Sequence, residues 1–336
     1  MRNKIFSTGL LFVITIFTLL AAMSPLGTAS TQAQSALAEP TPVTSCGQVL
    51  DVAGEYVLTA DLNCSGMSGD YNGVTITASN VVFHLAGHSI SSSDCDLNRN
   101  ISGIAVAGGI SGVKIDGGTV TGFNDGVLLA SSNSRVEGMT VRNACAFGIL
   151  VQGENNRVQT SVVTGSGSDG IILSPASGAV IASNYSSGNK RAGVAISDFA
   201  HDNLIENNIL NNNGGTGEGY GVAVFNGTNN LIRNNAANYN DFAGIRISSA
   251  VNPTGNPNLS NKVIANTVSG NTHVGIWILK DAAPSIIRLN TVMGSGDTDM
   301  LDEFAGCGGN TWRNNIFKTD LAAGVSDGGP GVGCIK

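Results

Sequence analysis

Charge is scarce in this chain. Asp, Glu, Lys and Arg make up 12 % of its 336 residues, and the formal net charge is −7. Nucleic-acid binding needs a basic face to neutralise phosphates, so that class of partner is excluded. Aromatic residues reach only 5 %, too few for a large core built on rings. There are four histidines and no Cys-x-x-Cys, which leaves zinc and thioredoxin-type chemistry without support. Long apolar runs are missing after the first twenty-odd residues. What the chain does have is glycine, 45 residues of it, and many small aliphatics. Such a chain must gain its stability from backbone ladders and aliphatic packing.

The first segment reads as a targeting signal. Arg2 and Lys4 precede an apolar stretch, Leu10–Ala22, and "ALA" at Ala36–Ala38 supplies an A-x-A cleavage pattern. The stretch is short for a spanning helix. Residues 1–38 are therefore expected to be a signal peptide. The mature chain is expected to start near Glu39, secreted to an extracellular or periplasmic location without stable membrane insertion. Cys46 is not preceded by a convincing lipoprotein signal. Export makes the six cysteines a disulfide set: Cys46, Cys64, Cys95, Cys145, Cys307 and Cys334. Six cysteines allow fifteen pairings. Cys46–Cys64 and Cys307–Cys334 are favoured because each lies within one terminal segment, which leaves Cys95–Cys145.

A short phrase recurs along the chain. It reads "GVTI" at Gly73, "GIAV" at Gly103, "GVLL" at Gly126, "GILV" at Gly148, "GIIL" at Gly170, "GVAI" at Gly193, "GVAV" at Gly221, "GIRI" at Gly244 and "GIWI" at Gly275. A degraded copy, "MLDE", begins at Met300. The spacing is about 22 residues, widened by insertions in places, which is the mark of a solenoid. Within each phrase two aliphatics flank a variable residue, the period of a strand. A second run ("RVE", "RVQ", "LIE", "LIR") and a shorter third run ("TV", "VV", "IL") follow in each repeat. Three short strands and three turns per repeat make one coil of a parallel β-helix. The β-branched runs are too short for amphipathic helices. The fold class is all-β, a single-stranded parallel β-helix of about ten coils. The expected organisation is an N-terminal cap at 39–72, coils over 73–299, and a C-terminal coil and cap at 300–336. The ends need caps because no coil buries its own faces.

Two stretches carry a resemblance. "VVFHLAGHSI" (Val81–Ile90) resembles the Leu-x-Leu-x-Gly-His-x-Ile stretch of first coils in exported right-handed parallel β-helix proteins, the group with the pectin-lyase-like fold. "GDTDMLDEFAGCGGNTWRNNIF" (Gly296–Phe317), with the terminal "CIK", resembles a C-terminal motif of secreted bacterial members, both cysteines included. The resemblance implies right-handedness and His88 as part of the fold motif; His84 departs from the usual form. It also implies a polysaccharide groove along one strand face.

That face can be read coil by coil. The outward residues of the first strand are expected to be Thr75, Ala105, Leu128, Leu150, Ile172, Ala195, Ala223, Arg246 and Trp277. Hydrolases of this fold would need neighbouring carboxylates, and this column has none. A lyase would need a base, for which the column offers only Arg246. Trp277 can stack on a sugar ring and Arg246 can pair with a carboxylate. The turn before the glycine adds Asp125, Asp169, Lys190, Arg191, Tyr220, Phe242 and His273. The carbohydrate-binding candidates are thus Arg246, Trp277, Arg191, Tyr220 and His273. The outward column of the second strand is expected to be Lys114, Glu137, Gln159, Ile181, Glu206, Arg233, Ile264, Arg288 and Arg313, with Glu206 and Arg233 as an ion pair. Glu137 and Glu206 stand three coils apart, roughly 14 Å at the inter-strand spacing, too wide for a glycosidase pair.

Metal and cofactor candidates are few. His84 and His88 lie about 13 Å apart on a strand, too far to share a metal ion. Some periplasmic β-helix proteins of this type serve a copper enzyme, but copper needs clustered His, Met or Cys, and this chain supplies no such cluster. Asp297, Asp299, Asp302 and Glu303 are candidates for Ca²⁺, though without EF-hand spacing; a hydrogen-bonding end cap is the stronger expectation. "GSGSDG" (Gly165–Gly170) has no helix after it and is not a phosphate loop.

Asparagine recurs every five residues in "NNLIRNNAANYN" (Asn229–Asn240). Aligned on the second strand, Ser134, Asn156, Gly178, Asn203, Asn230, Asn261, Ser285 and Asn310 mark one turn. Asp116, Ser161, Ser183, Asn208, Asn235, Asn266, Asn290 and Asn315 mark the next, and Asn213, Asn240, Asn271 and Ser295 the third. Asparagine tolerates the left-handed conformation of tight turns, and its amide can bond the amide stacked above it. These are read as coil corners rather than ligand sites. The functional expectation is a secreted β-helix protein that binds polysaccharide, with no evident catalysis. The alternatives are a polysaccharide lyase or epimerase using Arg246, and a non-catalytic structural rod.

Overall fold

The computed structural model describes residues 39–336 except 68, 70, 98, 216, 249–259, 283, 327, 328 and 331. The expected signal peptide, 1–38, lies outside the described residues. Among those described, no helix is long and apolar enough to cross a membrane.

Each coil contributes strands to three parallel sheets. The glycine phrases form a first sheet of twelve strands, from Gln48–Leu50 to Asp320–Ala322. The second runs form another twelve-stranded sheet, from Thr41–Val43 to Thr311–Arg313. The third runs form a six-stranded sheet ending at Tyr185–Ser187 and a two-stranded one, Thr267–Ser269 with Thr291–Met293. Single bridges, Tyr185 to Ile209, Ile209 to Ala236 and Ala236 to Thr267, carry the third side across the gap. Twelve strands give about eleven turns, in keeping with the expected ten or so coils; the ten phrase strands are joined by Gln48–Leu50 at one end and Asp320–Ala322 at the other.

Alternation decides what is inside. Val127 and Leu129 are fully buried while Leu128 between them faces out, and the same holds for Ile245, Arg246 and Ile247. Inward residues stack on their counterparts one coil away, as Val127 does on Ile104 and Ile149. The phrase begins with glycine for lack of space: a β-carbon on Gly126 would run into Val141 and the Gly148 carbonyl. All three expected disulfides are present: Cys46–Cys64, Cys95–Cys145 and Cys307–Cys334.

Register corrects two members of the second-sheet column. Asp116, not Lys114, pairs with Glu137, and Ala182, not the buried Ile181, pairs with Glu206. Lys114 lies beside them and bridges both Asp116 (2.9 Å) and Glu137 (2.7 Å). Glu206 and Arg233 form the expected pair at 2.7 Å.

Buried asparagines run in three hydrogen-bonded rows. In the longest, each side-chain N–H donates to the next carbonyl oxygen, from Asn184 through Asn208, Asn235, Asn266 and Asn290 to Asn315, at 2.9–3.1 Å. Asn203, Asn230 and Asn261 form a second row, and Asn189, Asn213, Asn240 and Asn271 a third. The structure departs from the expected corners at three points. Asp116 ends the strand Lys114–Asp116 and pairs with Glu137 rather than standing in a row. One coil is displaced by one residue: Asn184 stands in the row where Ser183 was expected, and Ala179 takes the place of Gly178. The left-handed residue is also not the row asparagine but the one before it. Asn229, Asn234 and Tyr239 have φ of 54°, 55° and 56°, and Asn230, Asn235 and Asn240 follow them. The corner residue turns the chain; the next supplies the amide.

These roles separate in a mutational test. Asn235 accepts from Asn208 and donates to Asn266 and to the Ile205 carbonyl. Asn235→Leu orphans several buried groups and is expected to cost at least about 2 kcal/mol of unfolding free energy, whereas Asn234→Gly keeps a positive φ accessible and costs little. Denaturant unfolding of both variants checks this; equal stabilities would contradict the assigned roles.

Candidate functional site

The first sheet carries an apolar cluster on its outer face. Its outward column runs Leu128, Leu150, Ile172, Ala195, Ala223, Arg246, Trp277 and Leu301, in continuous register. An outward alanine on a bare solenoid would meet water. Ala195 and Ala223 are fully buried instead. They belong to a second cluster with Ile172, Ala192, Tyr220, Ala243 and Val274, flanked by Phe225, Phe242 and Trp277. Small side chains on the strands leave room for large ones at the strand ends to fold over them.

The five carbohydrate candidates meet in this cluster. Trp277 stacks on Phe242 at 5.5 Å between centroids, and Phe242 lies 4.7 Å from the His273 ring. Tyr220 meets Phe225 and Phe242 edge-on, at 6.3 and 5.9 Å. The Arg246 guanidinium sits 5.0 Å from the Phe225 centroid, 5.5 Å from Tyr220 and 5.6 Å from Trp277. Arg191 covers Phe225 from 4.7 Å. Guanidinium over an aromatic face is favourable electrostatically, more so when water is excluded.

The two arginines differ in their charge partners. Arg191 is held by the buried Asp169, whose Oδ1 accepts from Nε at 2.9 Å while Oδ2 meets Nη2. Burial pushes the Asp169 carboxyl pKa up, and Arg191 and the Ala192 N–H oppose that. Among the described residues Arg246 has no carboxylate partner. Its Nε and Nη1 are shielded from solvent and make no hydrogen bond. A shielded, unpartnered guanidinium N–H costs free energy that an incoming acceptor would recover.

Carboxylates surround the patch although its strand column has none. Glu303 accepts from the Trp277 indole N–H at 3.0 Å and from the Lys280 N–H at 3.1 Å, which fixes the ring. Asp297 holds His273 Nδ1 at 2.7 Å. Phe225 falls outside the columns read from the sequence because it lies just past the repeating phrase, and Glu303, expected among the Ca²⁺ candidates, instead accepts from Trp277. The long interval before Gly221 was the available signal: it places Tyr220 at the end of an insertion.

Other candidates are dispersed. Asp297, Asp299, Asp302 and Glu303 do not gather around one point. Asp299 accepts from the backbone N–H groups of Ser295, Lys318 and Thr319. Asp302 faces inward where other coils carry an aliphatic, and accepts from Phe304 N–H, Asn310 and the Trp312 indole. Among the described residues no group of three potential metal ligands assembles. His84 pairs with Asp116 and His88 with Asp61, so the two histidines point to different carboxylates.

Asp125 lies at the near end of the same face and accepts from the Phe147 N–H at 3.3 Å. Burial raises its pKa to about 6 from 3.8. A carboxyl raised on folding binds its proton more tightly in the native state. Its contribution therefore favours folding at low pH and declines as pH rises from about 4 to above 6. Asp125→Asn is expected to stabilise the protein at pH 7, by up to about 3 kcal/mol, and to flatten that part of the pH profile. Thermal unfolding across pH checks it; an unchanged profile would contradict the assignment.

Comparison with known proteins agrees with this architecture. No curated protein matches. Among solved structures, the Dettilon tailspike protein is similar with a TM-score of 0.61 at 17 % identity, over 84 % of this chain and 59 % of that one. This chain thus spans 59 % of the tailspike's length. The periplasmic alginate epimerase AlgG gives 0.54 at 16 % identity, over 80 % of this chain and 69 % of that one. An alginate lyase from Paenibacillus sp. str. FPU-7 gives 0.59 at 15 % identity, over 74 % of this chain and 94 % of that one. At these identities the likeness is one of fold. The family model described as right handed beta helix region matches residues 102–259 and 217–328, more than half of the sequence, and the chain belongs to that family.

Proposed function

We propose that this chain binds an extracellular or cell-wall polysaccharide along the outer face of its first sheet, with Arg246 and Trp277 at the centre. The observation that carries this reading is Arg246: a guanidinium set among Tyr220, Phe225 and Trp277 with two shielded N–H groups unpartnered. Rings offer flat apolar faces for pyranose C–H groups, and the arginine offers donors for a carboxylate or hydroxyl. Three disulfides fit an oxidising compartment outside the cytoplasm. The similar structures named above include an alginate epimerase and an alginate lyase, which supports a polysaccharide as the partner class.

A second reading places lyase or epimerase chemistry on the same face. Asp297 holds one nitrogen of His273 and leaves the other for proton transfer. Burial raises the Tyr220 phenol pKa, so this group donates rather than accepts a proton at neutral pH.

A glycan screen tests the binding reading. The wild type is expected to retain at least one polysaccharide, with affinity falling about tenfold or more, roughly 1.4 kcal/mol, in Trp277→Ala and Arg246→Ala. No retained glycan would leave only the structural-rod reading. Incubation of retained glycans with the protein, read by the ultraviolet absorbance of unsaturated ends and by deuterium uptake from solvent, separates binding from chemistry.

A further inference from the structure

We infer that the polymer this face takes carries acidic sugars singly, separated by neutral ones, rather than one on every residue. The inference rests on the binding reading above. Coils repeat every ~4.8 Å along the solenoid, about the length of one sugar in an extended chain. A homopolyuronate laid along the sheet would therefore present roughly one carboxylate per coil. Ile172, Ala195 and Ala223 are covered by the aromatic cluster, and the partly exposed members of the column that would meet it are Leu128, Leu150, Arg246, Trp277 and Leu301, with one cation among them.

The surroundings sharpen the contrast. Asp169 neutralises Arg191. Glu218 acts on both Arg191 and Tyr220. Asp297 and Glu303 stand beside His273 and Trp277. Lys190 and Lys280 are exposed and lie beyond the ends of strands Ala192–Ile196 and Val274–Ile278. A polymer charged at every sugar would bring carboxylates against these carboxylates and against partly exposed leucine and ring surface, in a partly desolvated setting where like charges repel strongly. A carboxylate at Arg246 alone answers the one guanidinium of the column that lacks a hydrogen-bond partner for its shielded N–H groups, and neutral sugars on either side meet Trp277, Phe242 and Tyr220.

Isothermal titration of the protein with three polymers tests this: polygalacturonate, hyaluronan (glucuronate alternating with a neutral amide sugar) and dextran. Hyaluronan is expected to bind at least tenfold tighter than either of the others. Arg246→Gln should bring hyaluronan down to the dextran level, with an unfolding midpoint no lower than the wild type's. Equal or tighter binding of polygalacturonate would overturn the inference while leaving the binding site in place. Equal binding of hyaluronan and dextran, or no effect of Arg246→Gln, would also overturn it. Binding of none of the three, together with an empty glycan screen, would remove the site itself.

Discussion

From Asn184 onward, the coils of this protein turn corners with buried amides that must find their partners one coil away. The Asn235 carbonyl oxygen takes both the backbone and side-chain N–H of Asn208, and its own N–H passes on to Asn266. An amide buried without these partners would cost about 1–3 kcal/mol, so a slip by one residue is penalised at every corner along the row. The aliphatic stacks are less discriminating, because Val, Ile and Leu exchange places easily. Hydrophobic burial supplies most of the driving force; the amide rows supply register. With register fixed, each outward side chain has a set neighbour above and below.

That fixed register makes the outer face of the first sheet a surface on which chemistry can be assembled. Small residues at Ala195 and Ala223 admit rings from the strand ends, and a second apolar cluster forms outside the coil interior. Arg191 and Arg246 lie over the same Phe225 ring, yet one is neutralised by Asp169 and the other is not. Proximity of residue types does not distinguish them; the hydrogen bonds do.

The fold was legible in the sequence because its period is short and its alternation strict. The outward column of the first sheet could be written down from the glycine phrases, and register confirms it from Thr75 to Trp277. Reading failed where the frame shifts. The strand "VIA" sits one residue later than its neighbours, so the repeat alone points Ile181 outward and puts Ser183 where Asn184 stands. The turn geometry is hidden for a related reason: paired asparagines share one residue type but divide two jobs, a left-handed corner and a bonded amide. The candidate site was legible as a set of residues but not as a structure. Tyr220 opens the strand Tyr220–Val224, Phe242 lies in the bend before the next coil's strand, and Phe225 and Glu303 lie just past the strands. Only the folded turns bring them together, and the repeat holds no record of loop conformation.

The most direct test of the central claim uses the two tryptophans. Trp277 lies on the outer face, with its indole N–H bonded to Glu303, and Trp312 is buried with its own bonded to Asp302. Titration with a retained glycan, followed by tryptophan fluorescence, should shift the emission of the wild type and not of Trp277→Phe, which preserves a ring at the site. Saturable glycan binding that leaves the Trp277 emission unchanged would place the ligand elsewhere and contradict the account.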